Sequence, residues 1–302
     1  DLALMSYYIA EKPDVLTPYM ANLDGFVLTH TYETVDVPTH EQADEFLPPY
    51  ETTNKLDLDN PQNAGFSAGP EYNYIFKQKE HEGMLNAFAA IDEAEEKFAK
   101  IFGRKYTGPI EEYKTEDADY IIITLGSIAG LCKKTADELR EKGIKAGVLR
   151  IRYLRPFPSE KIAKAVKNAK AVAVLEKDIS FGNEGTVYSN VNSALLKYGA
   201  FVKSYNFIGG LGGKNISEED IENIYLSLSD DKVHLVREAK KLSITAKNIS
   251  REEYFYGHKA CAGCGGSLAV RNALKVLGQN AVAVLPAGCM SAVSFNFPQL
   301  CF

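Results

Sequence analysis

Between residues 119 and 230 apolar runs and amphipathic stretches take turns, and that alternation limits the fold more than any other feature of the chain. Tyr120-Ile121-Ile122-Ile123-Thr124-Leu125 is a near-continuous apolar run, as a strand covered on both faces requires. A helical stretch follows to about Lys142, then a strand over 147–153 that stops at Pro156-Phe157-Pro158. Ser159 is placed to cap the next helix. Ala171-Val172-Ala173-Val174-Leu175 is the third strand, 184–198 the third helix and 201–207 the fourth strand. The last helix opens at Ser217, with Asp220 three residues on as in a capping box. Repeated β–α alternation predicts an α/β fold: a parallel sheet with helices on both faces.

The flanks read differently. In 1–50, Asp24-Gly25 makes a turn, and the β-branched and aromatic run over 26–32 predicts a strand. Residues 51–80 are rich in turn formers (Asn60-Pro61, Gly65, Gly69-Pro70) and read as a connecting arm. Over 82–102, Met84, Phe88, Ile91, Phe98 and Phe102 recur at helical steps, interrupted by Glu95, and Gly103 supplies a stop. Residues 231–253 are charged, without Pro or Gly, and read as a linker or helical tail.

The strongest chemical signal lies beyond that linker. Cys261-Ala262-Gly263-Cys264-Gly265-Gly266 is followed by Gly288-Cys289. Residues 265–279 read as a helix and 281–285 as the next strand. Cys261 and Cys264 then precede a helix N-terminus, and Cys289 follows a strand end. In an α/β unit those points share one sheet edge, the one where such folds bind ligands. Glycines at 263, 265, 266 and 288 allow close backbone approach. The spacing suits an iron–sulfur cluster, a zinc site completed by His258, or a redox dithiol.

Other candidates read more plainly. Gly126-Ser127-Ile128-Ala129-Gly130 matches neither phosphate-loop fingerprint and reads as a tight βα turn. Gly209-Gly210-Leu211-Gly212-Gly213 reads as a flexible turn at the same edge. Arg150, Arg152 and Arg155 read as a solvated or salt-bridged rim, and Cys132 as a small core residue. Cys301 is left out of the thiol set. His30, His40, His81 and His234 have no partner at ligand spacing.

Charge is uneven. The chain carries −6 overall; residues 1–60 hold 12 Asp/Glu against 2 Lys/Arg, whereas 251–302 hold 4 Lys/Arg against 2 Glu. That balance argues against a nucleic-acid partner. Five cysteines, four of them within 261–302, do not form a secreted disulfide framework, and a reducing cytoplasm is expected. No apolar run nears the ~20 residues of a membrane span, and Asp1-Leu2-Ala3-Leu4 does not read as a signal peptide.

Gly257-His258-Lys259-Ala260-Cys261-Ala262-Gly263-Cys264-Gly265, with Leu268-Ala269-Val270-Arg271 and Pro286-Ala287-Gly288-Cys289, resembles the start of the β subunit of pyruvate:ferredoxin oxidoreductase and related 2-oxoacid:ferredoxin oxidoreductases. The earlier chain is similar to the C-terminal half of their α subunit. The carrying residues are 23–31, Phe46-Leu47-Pro48-Pro49-Tyr50, Gly126–Gly130, Arg155-Pro156-Phe157-Pro158, 179–182 and 207–213.

The resemblance implies oxidative decarboxylation of a 2-oxoacid, pyruvate above all, to acyl-CoA. Electrons would pass through iron–sulfur clusters to ferredoxin. Cofactors would be a [4Fe-4S] cluster, thiamine diphosphate and Mg2+. Cys261, Cys264 and Cys289 match three cluster ligands, and Cys264, Gly265, Ala287, Gly288, Cys289 and Met290 lie near the cofactor. No residue of the chain is matched to a catalytic role. Partners would be other subunits of the same enzyme, ferredoxin, coenzyme A and the 2-oxoacid, in an oligomer of heteromers, with neither nucleic acid nor membrane.

The implied organisation is the end of a pyrimidine-binding domain over 1–50 and an arm and helix over 51–118. A transketolase C-terminal-like domain follows over 119–230, then a linker over 231–253 and the start of a thiamine diphosphate-binding α/β domain over 254–302. The activating Glu and substrate residues are expected before Asp1. The diphosphate–Mg2+ segment and the fourth cluster Cys are expected after Phe302. Gly266 stands where many relatives have Glu. Residues 1–302 alone are therefore expected to be inactive.

Overall fold

A computed structural model of the chain describes residues 1–229 apart from 26, 53–54, 62–64 and 66. The described residues belong to one compact unit. Its centre is the predicted alternation. β2 (Tyr120–Leu125), β3 (Ala146–Ile151), β4 (Ala171–Glu176) and β5 (Lys203–Ile208) run parallel, linked by α5 (Ile128–Glu141), α6 (Ser159–Val166) and α7 (Thr186–Lys197). α8 (Glu218–Ser229) closes the domain. At its start Ser217 and Asp220 exchange hydrogen bonds, Ser217 N to Asp220 Oδ2 at 2.9 Å and Asp220 N to Ser217 Oγ at 3.1 Å, as the capping box requires.

One strand departs from the expected sheet. β1 (Ile110–Tyr113) pairs antiparallel with β3, so the order is β1-β3-β2-β4-β5 with a reversed edge. The sequence Ile-Glu-Glu-Tyr gives little alternation to read. Its carboxylates work on the sheet's flank, where Lys133 bonds Glu111 and Arg150 lies 3.5 Å from it.

Period-two alternation splits the strands between two cores. Ile121, Ile123, Leu149, Ile151, Val172 and Val174 face Ile162 and Val166 of α6 and Val187 and Val191 of α7. Ile122, Val148, Ala173 and Leu175 face Cys132 and Leu139 of α5 and Ile221 and Tyr225 of α8. Each fully buried Ile or Leu here contributes about 1.5–3 kcal/mol. Cys132 is a core residue as expected, and burial pushes its thiol up to about 12. Tyr225, also fully buried, donates its hydroxyl to Gly147 O at 2.8 Å.

The N-terminal elements form a third core. α1 (Leu2–Ala10), α3 (His40–Phe46) and α4 (Pro70–Phe102) bring together Met5, Ile9, Phe46, Ile91 and Phe98, with Tyr153 from beyond β3. Three expectations fail here. The strand read over 26–32 is instead a single helical turn, α2 (Val27–His30); β-branched content does not make a strand where no neighbouring strand pairs with it. The arm read over 51–80 gives way at Gly69, the N-cap of a 33-residue helix with Pro70 in its first turn. Residues 70–82 are exposed, so Tyr72, Ile75 and Phe76, though at helical steps, extend no core-facing stripe back toward Gly69. Finally, Ser159 does not cap α6: Pro158 occupies the N-cap and no side-chain cap bond forms.

Candidate functional site at the carboxyl edge of the sheet

The strand order decides where a site can form. From β2 the chain turns to α5 on one face; from β4 it turns to α7 on the other. β2 and β4 are neighbours, so the loops leaving their carboxyl ends diverge and open a crevice, the switch point at which open α/β sheets bind ligands. Gly126 makes the turn out of β2 at φ +74, a conformation that favours glycine. Ser127 is the N-cap of α5, yet its side chain makes no cap bond within the helix. Its hydroxyl donates to Asp24 Oδ2 instead, and its amide reaches the same oxygen at 3.2 Å. From the β4 side Lys177 Nζ approaches that oxygen to 3.4 Å. The crevice is thus filled by the chain's own carboxylate. The Ser127 hydroxyl, ahead of its amide and Lys177, holds Asp24 below the usual carboxylate range.

The second acid at this edge has a different role. Glu176, the buried last residue of β4, accepts from Val187 N at 2.8 Å, Tyr188 N at 3.1 Å and Asn206 Nδ2 at 2.9 Å. Asn206 Oδ1 in turn accepts from Gly185 N at 2.9 Å. α7 has Gly185 as N-cap and lacks a side-chain cap of its own, so Glu176 supplies the anion its N-terminus favours. Burial nonetheless pushes the Glu176 carboxyl up, outweighing the three donors. With both oxygens taken, this carboxylate orders α7 and β5.

The glycine turns sit where expected. Leu211–Gly213 is a 3-10 turn after β5, and Gly210, at φ +75, passes Lys177 so closely that a Cβ would lie 3.2 Å from Lys177 Cγ. The arginines share no single rim. Arg155 bonds Leu154 O and Asn190, whereas Arg152 pairs with Glu95 in the interior, with side chains 8% and 6% exposed. Asp24, Glu176, Lys177 and Glu95 had not been singled out as functional. The one clue was chemical: Glu95 breaks the apolar face of α4, and Glu176 ends an apolar strand.

Cys261, Cys264, Gly265, Ala287, Gly288, Cys289 and Met290 lie outside the described residues, as do His258, Cys301 and His234. His30, His40 and His81 are exposed. Among the described residues, no three His, Cys, Asp or Glu stand together as a metal site, and no helix is long and apolar enough to cross a membrane. The described residues therefore offer no ligand set for the expected cluster.

Two family profiles match the chain. Residues 1–96 match "Pyruvate flavodoxin/ferredoxin oxidoreductase, thiamine diP-bdg", and residues 118–221 match "Pyruvate:ferredoxin oxidoreductase core domain II". Among curated relatives, pyruvate synthase subunit PorA of Methanothermobacter thermautotrophicus is 42% identical over 224 residues, 74% of this chain and 57% of its own. PorA of Pyrococcus furiosus is 42% identical over 238 residues, 77% of this chain and 60% of its own. Ketoisovalerate oxidoreductase subunit VorA of Pyrococcus abyssi is 36% identical over 225 residues, 74% and 56%. The chain thus spans less than two thirds of the length of these relatives. The β2–β5 sheet lies within the second profile match and the α1–α3 segment within the first. Through residues 1–96 and 118–221, the chain belongs to the pyruvate:ferredoxin oxidoreductase family.

Proposed function

We propose that this chain is part of a thiamine diphosphate-dependent 2-oxoacid:ferredoxin oxidoreductase that acts on pyruvate. In that reaction a 2-oxoacid, coenzyme A and two oxidised ferredoxins give acyl-CoA, CO2, a proton and two reduced ferredoxins. The observation that carries the reading is 42% identity to pyruvate synthase subunits over three quarters of the chain. Branched-chain 2-oxoacids are the second reading, favoured by the 36% identity to ketoisovalerate oxidoreductase subunits.

Within that reading the chain's parts divide. Residues 119–229 are scaffold, where the sheet and the Glu176 network hold elements in place, while residues 1–96 belong to the thiamine diphosphate-binding part. Cys261, Cys264 and Cys289 supply three thiolates to a [4Fe-4S] cluster, the fourth coming from elsewhere in the assembly, and 286–290 lie beside the thiamine. Thiamine diphosphate, when bound, stabilises the negative charge left by decarboxylation. The partners are the remaining subunits and ferredoxin.

The test is anaerobic purification of the 302-residue chain with iron, sulfide and zinc analysis. About four iron and four sulfide per chain are expected, falling together in Cys261→Ser, Cys264→Ser and Cys289→Ser. Stoichiometric zinc, or iron unaffected by all three substitutions, overturns the assignment. The chain alone should not turn over pyruvate with added cofactors.

A further inference from the structure

We propose that the basic corner where α6, the end of α7 and the start of β5 meet docks the acidic stretch Leu56-Asp57-Leu58-Asp59 of a second copy of this chain, which docks in return.

Three observations carry this. First, the corner is basic and apolar together. α6 and α7 share one core, and residues 161–170 and 196–203 hold four and two Lys with no Asp or Glu, in a chain of net charge −6. Phe201 is 90% exposed, Leu196 76% and Tyr198 43%, and Tyr198 stands near enough to Lys164 of α6 to act on its charge. Lys161, Lys164 and Lys170 have acidic neighbours at the surface, whereas Lys167 and Lys197 are exposed and form no ion pair among the described residues. Second, the complement lies on the same chain. Residues 33–60 hold eight Asp/Glu against one Lys. Near their end Asp57 Oδ1 accepts from Asp59 N at 3.0 Å and Asn60 N at 3.2 Å, a turn that leaves Leu56 92% and Leu58 97% exposed. Third, the exposure of Phe201 and Leu58 shows that the two surfaces do not meet within one copy. Residues 230–302, with nine Lys/Arg against five Asp/Glu, carry the wrong charge for the corner. Apolar side chains ringed by opposite charges make a small interface of complementary potential. Arranged about a two-fold axis, the contact is made twice and closes a dimer. Nothing in it depends on the proposed reaction.

Sedimentation velocity of the full chain under anaerobic, reducing conditions tests it. In low salt a dimer should be evident at about 100 µM chain, the strength expected of a small interface. Raising NaCl to about 0.5 M should weaken it about threefold by screening. Lys197→Glu and Asp57→Lys each set like charges against one another and should raise the dissociation constant about fivefold. Phe201→Ser should raise it too, through lost apolar contact. All three sites are exposed, so each variant should keep its far-ultraviolet circular dichroism spectrum. A mixture of Lys197→Glu with Asp57→Lys sets each reversed charge against the other and should recover the unaltered affinity within about twofold. A chain that stays monomeric in low salt overturns the proposal, as does a dimer indifferent to both charge reversals. Losses in the single variants that the mixture fails to recover also overturn it, since the corner would then hold some other acidic surface.

Discussion

Arg152 and Glu95 give the sharpest energetic test of the fold. Both side chains are more than nine-tenths buried. Arg152 Nη1 donates to Glu95 Oε1 and to Gly108 O at 2.6 Å, and its guanidinium lies 4.6 Å from the centre of the Tyr106 ring. Glu95 Oε2 accepts from Gly108 N at 2.6 Å. The pair therefore fastens α4, the loop before β1 and the segment after β3 at one point. Arg152→Met leaves the Glu95 carboxylate in the interior with only the Gly108 amide, and breaking such a pair costs about 3–5 kcal/mol. Pairing Arg152→Met with Glu95→Leu removes both charges and leaves only the Gly108 amide and carbonyl short of a partner, at about 1 kcal/mol each, the lower end for a buried polar group. The double variant should thus be more stable than the single one by about 2 kcal/mol. Urea unfolding followed by far-ultraviolet circular dichroism measures this. With a slope of about 2–3 kcal/mol per molar, Arg152→Met moves the midpoint down by about 1–2 M and the second substitution restores about half. A double variant no more stable than Arg152→Met would refute the reasoning, since it would mean that contact loss and not the stranded charge sets the cost.

Two further outcomes follow from the sheet. A Cβ at Gly147 would stand 2.7 Å from Lys114 O and 2.8 Å from Ala118 Cβ, so Gly147→Ala should cost about 1–3 kcal/mol, seen as a lowered melting temperature. Glu176 should give a pH signature. Its carboxyl lies above the ordinary 4.5 in the folded chain, so the native state holds that proton longer than the unfolded state does. Stability from this group is then full below 4.5 and declines as pH rises through the folded value. The stability lead of the unaltered chain over Glu176→Gln should shrink from pH 4.5 upward; a lead that grows with pH contradicts the burial argument.

The sheet was legible because its signal is local. Ile121, Ile122 and Ile123 announce a strand covered on both faces, and both Val148 and Leu149 of the next strand are needed inside. The edge was not legible, since Glu111 and Glu112 of β1 gain their meaning only from Lys133 and the register against β3. The same holds for α4: Gly69-Pro70 read as turn formers of an arm, and the exposed turns that follow bury no apolar stripe that would carry the helix back to them. Glu95 looked like an interruption until Arg152, 57 residues on, turned out to be its partner. Asp24 read as a turn residue because its partners, Ser127 and Lys177, are more than 100 residues away. The thiol set, clearest of all in the sequence, lies beyond the described residues.

The central place of β2 also orders the folding reaction. β2 pairs with β3 through a short connection, Tyr120 opposite Ala146, whereas its other neighbour brings Ala171 alongside and β5 must then find β4. Loop closure favours the nearest pairing, so β2, α5 and β3 form the first self-supporting unit and β4 condenses onto its open flank. Isoleucine-rich β2 is then a nucleus: Ile122→Val should slow refolding, while an equal loss in β5 should mainly hasten unfolding.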